Sequence, residues 1–242
     1  MTGAPHLLRL DDVHTDIGQY HILNGVSLEV PEGGVHVLLG RNGAGKTTTL
    51  RTIMGLWRVR QGAIVFDNRD ITALHTADIA RLGIGYVPET MGVFTRLTVE
   101  ENMRLATASG RIDRERIARI VSLFPALERF WHSAAGGLSG GQKQMLAIAR
   151  AIAEPRRLII VDEPTKGLAP AIIRAMIDVF RDIARDTTIL LVEQNFLFAR
   201  ALGRGASVID DGRVSYTGTM AELATDAGLQ TRLLSLSLEA HV

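Results

Sequence analysis

Residues Gly40-Arg41-Asn42-Gly43-Ala44-Gly45-Lys46-Thr47 fit the pattern G-x-x-x-x-G-K-[ST]. A short apolar run, Val35 to Leu39, precedes them and reads as a buried strand. Residues 47–56 follow and read as a helix. A loop so placed turns successive backbone N–H groups inward around an anion, because Gly40, Gly43 and Gly45 can take angles closed to other residues. The helix N-terminus adds free N–H groups and partial positive charge. Lys46 is then placed to reach the β- and γ-phosphates of a nucleotide, and the Thr47 hydroxyl to bind Mg²⁺. At ordinary glycine content the pattern arises by chance in roughly one chain of this length in a hundred.

Two further groups carry chemistry. Asp162 and Glu163 end the apolar run Leu158 to Val161. In a parallel sheet, ligands sit beyond the carboxyl ends of the strands, where the phosphate loop also lies. Asp162 is thus placed to hold Mg²⁺ through water, and Glu163 to polarise an attacking water. Phosphoryl transfer depends mostly on positioning and charge stabilisation, so a well-placed carboxylate matters more than a strong base. The second group is Leu138-Ser139-Gly140-Gly141-Gln142. It reads as another anion cradle, built from a hydroxyl, two flexible glycines and a helix N-terminus. One nucleotide already has its phosphates in the first loop, so the spare cradle suggests a grip on another molecule's nucleotide.

The elements that must position these groups are legible around them. Residues 7–13 and 23–30 read as strands, and Gly25 to Val30 alternates as a half-buried antiparallel strand does. Residues 61–66 read as an edge strand, 76–81 as a helix and 83–87 as a strand closed by Pro88. From residue 89 to about 155 no strand pattern appears, and Thr98 with Glu101 forms a capping box. Ile117, Ile120, Val121 and Phe124 recur at helical spacing. A helical subdomain inserted into an α/β core is expected there. Met145, Ile148, Ala149 and Ile152 are expected on one face of the helix after Gln142. Pro170 suits the first turn of a long helix with Ile173, Met176, Phe180 and Ile183 on its apolar face. Thr188 to Val192 is a buried strand, Val208 to Tyr216 a hairpin turning at Asp211-Gly212, and Thr219 with Glu222 a second capping box. His36, inside the buried strand, reads as a satisfied core residue rather than a ligand.

Composition narrows the classes. The 242 residues suffice for one large α/β domain with a full core. With 27 Lys and Arg against 26 Asp and Glu, the net charge of +1 gives no sign of a nucleic-acid partner. The absence of cysteine excludes disulfides and thiolate metal sites and fits a reducing compartment. The first residues, MTGAPHLLRLDD, lack a basic region followed by an apolar stretch, so no secretory signal is expected. No apolar run approaches the roughly 18 residues of a membrane span. Any work at a membrane must then go through a partner.

The combination of GRNGAGKT, LSGGQ and LIIVDEPT, in this order and spacing, resembles the ATP-binding cassette of ABC transporters. The resemblance covers nearly the whole chain, which implies one cassette over residues 1–242 with its helical subdomain at about 89–155. It implies an α/β fold: a mixed-sheet core of the RecA-like kind, an antiparallel β subdomain and the inserted helices. The stretches GLAP (167–170), LVEQN (191–195), YVPE (86–89) and RLTVEEN (96–102) are similar to one subfamily, the ATP-binding subunits of branched-chain amino acid importers and their relatives for urea and short amides. The family implies ATP and Mg²⁺ as cofactors and two cassettes in a head-to-tail sandwich, homo- or heterodimeric. Each ATP would lie between the phosphate loop of one cassette and the LSGGQ of the other. Closure and reopening would drive two transmembrane permease subunits at the cytoplasmic face of the inner membrane, with a periplasmic solute-binding protein acting indirectly. The nucleotide-binding set so implied is Gly40 to Thr47 with Thr48, Ile17, and Ser139, Gly140, Gly141 and Gln142. The metal set is Thr47, Glu89 and Asp162, and the catalytic set Glu163 and Gln194. Exporter subunits for lipid or lipopolysaccharide, and non-transport ABC ATPases, share the cassette and stay open as alternatives.

Four positions depart from the general cassette pattern. Glu89 stands where most cassettes have a Gln that binds Mg²⁺; a carboxylate still serves a hard cation. Gln194 stands where most have a His that contacts the γ-phosphate, and its amide donates a hydrogen bond but takes no proton. Ala169 replaces the usual Asp of the following loop. Ile17 falls where the adenine-stacking aromatic is expected, and Tyr20 substitutes if the loop shifts. The family also implies a groove for a short permease helix near Met91, Val93 and Phe94.

Overall fold

A computed structural model describes residues 6–234. Two sheets organise the chain. The first is four-stranded and antiparallel, built from β1 (His6–Ile17), β2 (Tyr20–Pro31), β4 (Gln61–Phe66) and the two-residue β5 (Arg69–Asp70), in the order β2-β1-β4-β5. The second is six-stranded. It contains β3 (Val35–Leu39), β6 (Ile84–Val87), β7 (Leu158–Asp162), β8 (Thr188–Glu193), β9 (Gly205–Asp210) and β10 (Arg213–Thr219), in the order β10-β9-β3-β8-β7-β6. All its pairings are parallel except β9 with β10.

The apolar runs that read as buried strands form the middle of this sheet because both of its faces are covered. Side chains alternate between two cores. Val37, Leu39, Ile159, Val161, Ile189 and Leu191 enter one. Leu38, Leu158, Ile160, Leu190 and Val192 enter the other, together with the inward residues of β1, β2 and β4. The first core is closed by α6 (Gly140–Ala151), α7 (Pro170–Ile183) and α8 (Phe196–Leu202), and the second by α1 (Lys46–Ile53) and α2 (Thr76–Arg81). Between β6 and β7 the described residues run through α3 (Val99–Arg104), α4 (Arg114–Leu123), α5 (Pro125–Arg129) and α6, with the single isolated β-bridge Thr98–Ala134. The last described elements are α9 (Met220–Thr225) and α10 (Ala227–Leu234).

The structure corrects several boundaries. β1 and β2 extend well past residues 13 and 23 to meet at Ile17 and Tyr20, because polar residues also pair where a hairpin tip faces solvent. β4 is not quite an edge, since β5 pairs its last two residues. The first helix stops at Ile53, where Gly55 takes a φ of 66° and turns the chain. Phe124 is buried but lies just past the end of α4, and Met145 is only half-buried. Both capping boxes form, at Thr98 with Glu101 and at Thr219 with Glu222.

Candidate functional site

The site is assembled where β3, β7 and β8 end. Leu39 pairs with Glu193, and Asp162 with Val192, so the loops leaving the three strands start side by side. The phosphate loop leaves β3 with φ of 158° at Gly40, 81° at Gly43 and 107° at Gly45. A Cβ at Gly40 would stand 2.4 Å from the Ile209 carbonyl oxygen, so the turn needs glycine for space as well as for angle. Leu23 of β2 packs against Gly45 and fixes the antiparallel sheet along the loop. Lys46 is buried. Its Nζ donates to the carbonyls of Gly40 and Arg41 at 2.9 and 3.0 Å and lies 3.3 Å from Glu163 Oε1.

Asp162 is fully buried as the last residue of β7. Thr47 Oγ1 donates to its Oδ1 at 3.2 Å, while Oδ2 has no hydrogen-bond partner. Burial pushes the Asp162 carboxyl up to about 6, the Thr47 hydrogen bond opposing it, and the charges of Glu163 and Glu89 add to the rise. On the neighbouring strand β6, burial pushes the Tyr86 hydroxyl up to about 12, with the Asp162 charge adding and Arg51 opposing. The next residue, Glu163, has a φ of 46°, a left-handed conformation costing roughly 1–3 kcal/mol in a side-chain-bearing residue. Its N–H donates to the Val192 carbonyl at 2.9 Å, which anchors the kink to β8. The kink turns the Glu163 carboxylate to Lys46 and to Gln194, whose Nε2 donates to Glu163 Oε1 at 2.7 Å. The same amide donates to Asn42 Oδ1 in the phosphate loop.

Glu89, just beyond β6, is held by Lys166, whose Nζ lies 2.5 Å from Glu89 Oε1. Ile17 ends β1 half-buried, opposite Tyr20, which is 65% exposed. Thr48 is half-buried in the first turn of α1. The LSGGQ segment stands apart from this group in the helical part of the chain. Ser139 caps α6: its Oγ accepts from the Gln142 N–H at 3.3 Å, and its own N–H donates to Gln142 Oε1 at 2.9 Å. Its two glycines differ. A Cβ at Gly141 would stand 2.6 Å from Ile172 of α7, whereas one at Gly140 would meet nothing within 4 Å. Packing within the chain accounts for Gly141; Gly140 faces open space.

Sequence reasoning missed Lys166 and Glu193. Glu193 reads as a polar strand end, yet it is buried and accepts from the N–H groups of Thr165, Gln194 and Asn195 at 3.0, 3.1 and 3.1 Å. It clamps the loop after β7 to the loop after β8. Lys166 lacks a spacing signal, because its partner Glu89 is 77 positions away. His36 is buried as expected, but only its Nε2 is paired, with Ser207 Oγ at 3.0 Å, while Nδ1 has no partner.

The donors Thr47, Asp162 and Glu89 are hard oxygens that suit Mg²⁺, and the orphaned Asp162 Oδ2 is a buried acceptor that a cation would satisfy. Among the described residues no group of three or more His, Asp or Glu could hold a metal alone. A cation there would take phosphate and water oxygens to complete its shell, as Mg²⁺ does beside a nucleotide.

The ABC transporter family model matches residues 23–166. BraG of Pseudomonas aeruginosa, a high-affinity branched-chain amino acid transport ATP-binding protein, is 38% identical over 91% of this chain and 96% of its own. LivF of Archaeoglobus fulgidus, a probable branched-chain amino acid transport ATP-binding protein, is 36% identical over 90% of this chain and 94% of its own. Among solved structures, the dimeric post-hydrolysis state of an ATP-binding cassette bound to ADP and Pi is 26% identical, with a TM-score of 0.79 over 88% of this chain and 98% of that one. With the phosphate loop, the carboxylate pair and the LSGGQ helix set on this α/β fold, the chain belongs to the ABC transporter family.

Proposed function

We propose that this chain is the ATP-hydrolysing subunit of an importer for branched-chain amino acids or the related amides and urea. The observation that carries the reading is the meeting of Lys46, Thr47, Asp162, Glu163 and Gln194 at one sheet edge, in a chain so similar to BraG and LivF. The chain is one cassette over residues 1–242, with the helical part at about 89–155 inserted between β6 and β7.

Each residue has a role in this reading. The N–H groups from Asn42 to Thr48 and the Lys46 ammonium bind the triphosphate. Thr47, Asp162 and Glu89 would hold Mg²⁺, which would supply neutralisation of the triphosphate's charge. Glu163 orients and polarises the attacking water and takes up its proton, and Gln194 holds Glu163 in place through its amide. Ser139, Gly140, Gly141 and Gln142 grip the nucleotide of a second cassette. The open face at Gly140 supports this, because a backbone free of side chains admits close approach of phosphate. Ile17 lies against the base.

The dimer acts on two transmembrane permeases, with a periplasmic binding protein upstream of them. The chain itself sits peripherally on the cytoplasmic face of the inner membrane, a reading supported by its likeness to the transport ATP-binding proteins BraG and LivF. Deleting the gene and measuring uptake of labelled leucine, isoleucine and valine at low concentration tests the reading. Uptake should fall to background and return with the parent chain but not with Lys46→Ala. Unchanged uptake together with defective lipopolysaccharide export would move the chain to the exporter class.

A further inference from the structure

The cleft around Asp162 holds an unusual charge set. Asp162 ends β7 and Glu163 follows it, while Glu89 follows β6, whose Val87 pairs with Val161 alongside; the charges of Glu163 and Glu89 act on Asp162, and that of Arg51 opposes them. Lys46 answers one of them, Glu163. The second ammonium is Lys166, with Nζ 2.5 Å from Glu89 Oε1 and 4.0 Å from Glu163 Oε2. Its backbone is fixed by the local turn: the Lys166 N–H donates to the Glu163 carbonyl at 3.2 Å, and the Thr165 N–H beside it is held by Glu193. One flexible side chain on a rigid turn thus joins the loop leaving β6 to the loop leaving β7.

We propose that Lys166 is a positioning residue for nucleotide binding, the counter-charge that allows a carboxylate to stand at position 89 beside Asp162 and Glu163. This rests on the reading of the cleft as an Mg²⁺–ATP site. The physical need is plain. A triphosphate carries about four negative charges, and three carboxylates set against only Lys46 and Arg51 leave a net negative site that repels it until a divalent cation arrives. Lys166 brings the set of six side chains to balance and holds Glu89 in an ion pair. A glutamine at position 89 would need no such partner. The proposal therefore predicts that the two positions are coupled in a defined direction.

A double-mutant cycle tests it without turnover. ATP affinity is measured by equilibrium titration of a fluorescent analogue with the parent, Lys166→Met, Glu89→Gln and the double variant, with Lys166→Arg as the charge-conserving control. Lys166→Met should weaken ATP by about fivefold, and Lys166→Arg by less than about twofold. In the Glu89→Gln background Lys166→Met should change affinity by less than about twofold. Equal losses in both backgrounds would mean that Lys166 acts on the nucleotide directly, and no loss in either would mean that the charge is idle; each overturns the proposal. Mn²⁺ binding to the nucleotide-free variants, read by electron paramagnetic resonance, gives a second answer. Lys166→Met should tighten Mn²⁺ by about fivefold with Glu89 present and leave it unchanged with Gln at that position. If the parent binds no ATP, the reading of the site fails, while the Mn²⁺ cycle still decides whether Lys166 balances Glu89.

Discussion

The Gln194 side-chain amide donates to Glu163 Oε1 at 2.7 Å and at the same time to Asn42 Oδ1. One NH₂ group thereby joins three loops, those leaving β8, β7 and β3. A histidine in its place would have one ring nitrogen per partner and could take up a proton; the amide supplies two donors and no charge. Gln194 can therefore hold Glu163 in a fixed direction without taking up a proton itself.

Glu163→Gln should abolish most hydrolysis while leaving ATP binding intact, because the water loses its orienting charge and Lys46 still has the Gly40 and Arg41 carbonyls. ATP should then hold the closed dimer, visible as a shift to dimer in size-exclusion chromatography. Steady-state turnover is the check. A variant within about tenfold of the parent, a loss of only ~1.4 kcal/mol, would show that another group orients the water.

Much of this site was legible in the sequence because its parts are local. The phosphate loop, Asp162-Glu163 and LSGGQ each follow from residues adjacent in the chain and from the element that ends or begins there. What could not be read is long-range. Lys166 meets Glu89 only because β6 and β7 are neighbours, and Glu193 becomes a clamp only once β8 sets it under Thr165. The fold shows the same division. Fully buried strands carry their own apolar signature, whereas the polar tip of the β1–β2 hairpin is held by backbone pairing that side-chain patterns do not encode.

Lys46→Ala should lose ATP binding, whereas Ser139→Ala should spare binding by the single chain and impair turnover. Ser139 Oγ accepts from the Gln142 N–H, so alanine there also removes an N-cap, at about 1 kcal/mol. Circular dichroism must show α6 intact before turnover is compared. In a homodimer of this chain, mixing the two variants creates one site with both defects and one with neither. Partial recovery of ATPase activity is expected from the mixture. A mixture as inactive as its components, with equal loss of nucleotide affinity in both variants, would place the two motifs in the same site of one chain.

Two buried groups should give opposite pH slopes to stability. Burial lowers His36 from 6.5 to about 4, so between those values the unfolded chain binds more protons and stability falls as pH falls. Burial raises Asp162 from 3.8 to about 6, so between those values the folded chain binds more protons and stability rises as pH falls. Each effect amounts to about 3 kcal/mol at most, and in the parent they largely cancel. Relative to the parent, His36→Leu should gain stability between pH 7 and 4.5, and Asp162→Asn should lose it. Urea midpoints at both pH values are the measurement; slopes of the same sign for the two variants would refute the assignment.

The last expectation concerns the base. Ile17 and Tyr20 face each other across the turn of the β1–β2 hairpin, one half-buried and the other exposed. Leu23, three residues beyond Tyr20, packs on Gly45, so the hairpin is anchored to the phosphate loop near its tip. An isoleucine against adenine offers apolar contact but no π-face, and base–aromatic stacking is worth about 1–3 kcal/mol in nucleic-acid complexes. The triphosphate and Mg²⁺ contacts are the same for ATP and GTP. Modest ATP affinity and weak discrimination against GTP should follow. Ile17→Tyr should tighten ATP by about fivefold or more, the low end of that range. Tyr20→Ala separates the two residues, since an exposed side chain that never meets the base can be removed at no cost in affinity. If Tyr20→Ala weakens ATP by about tenfold and Ile17→Tyr gains nothing, Tyr20 is the stacking residue and the hairpin tip must fold toward the base when nucleotide binds.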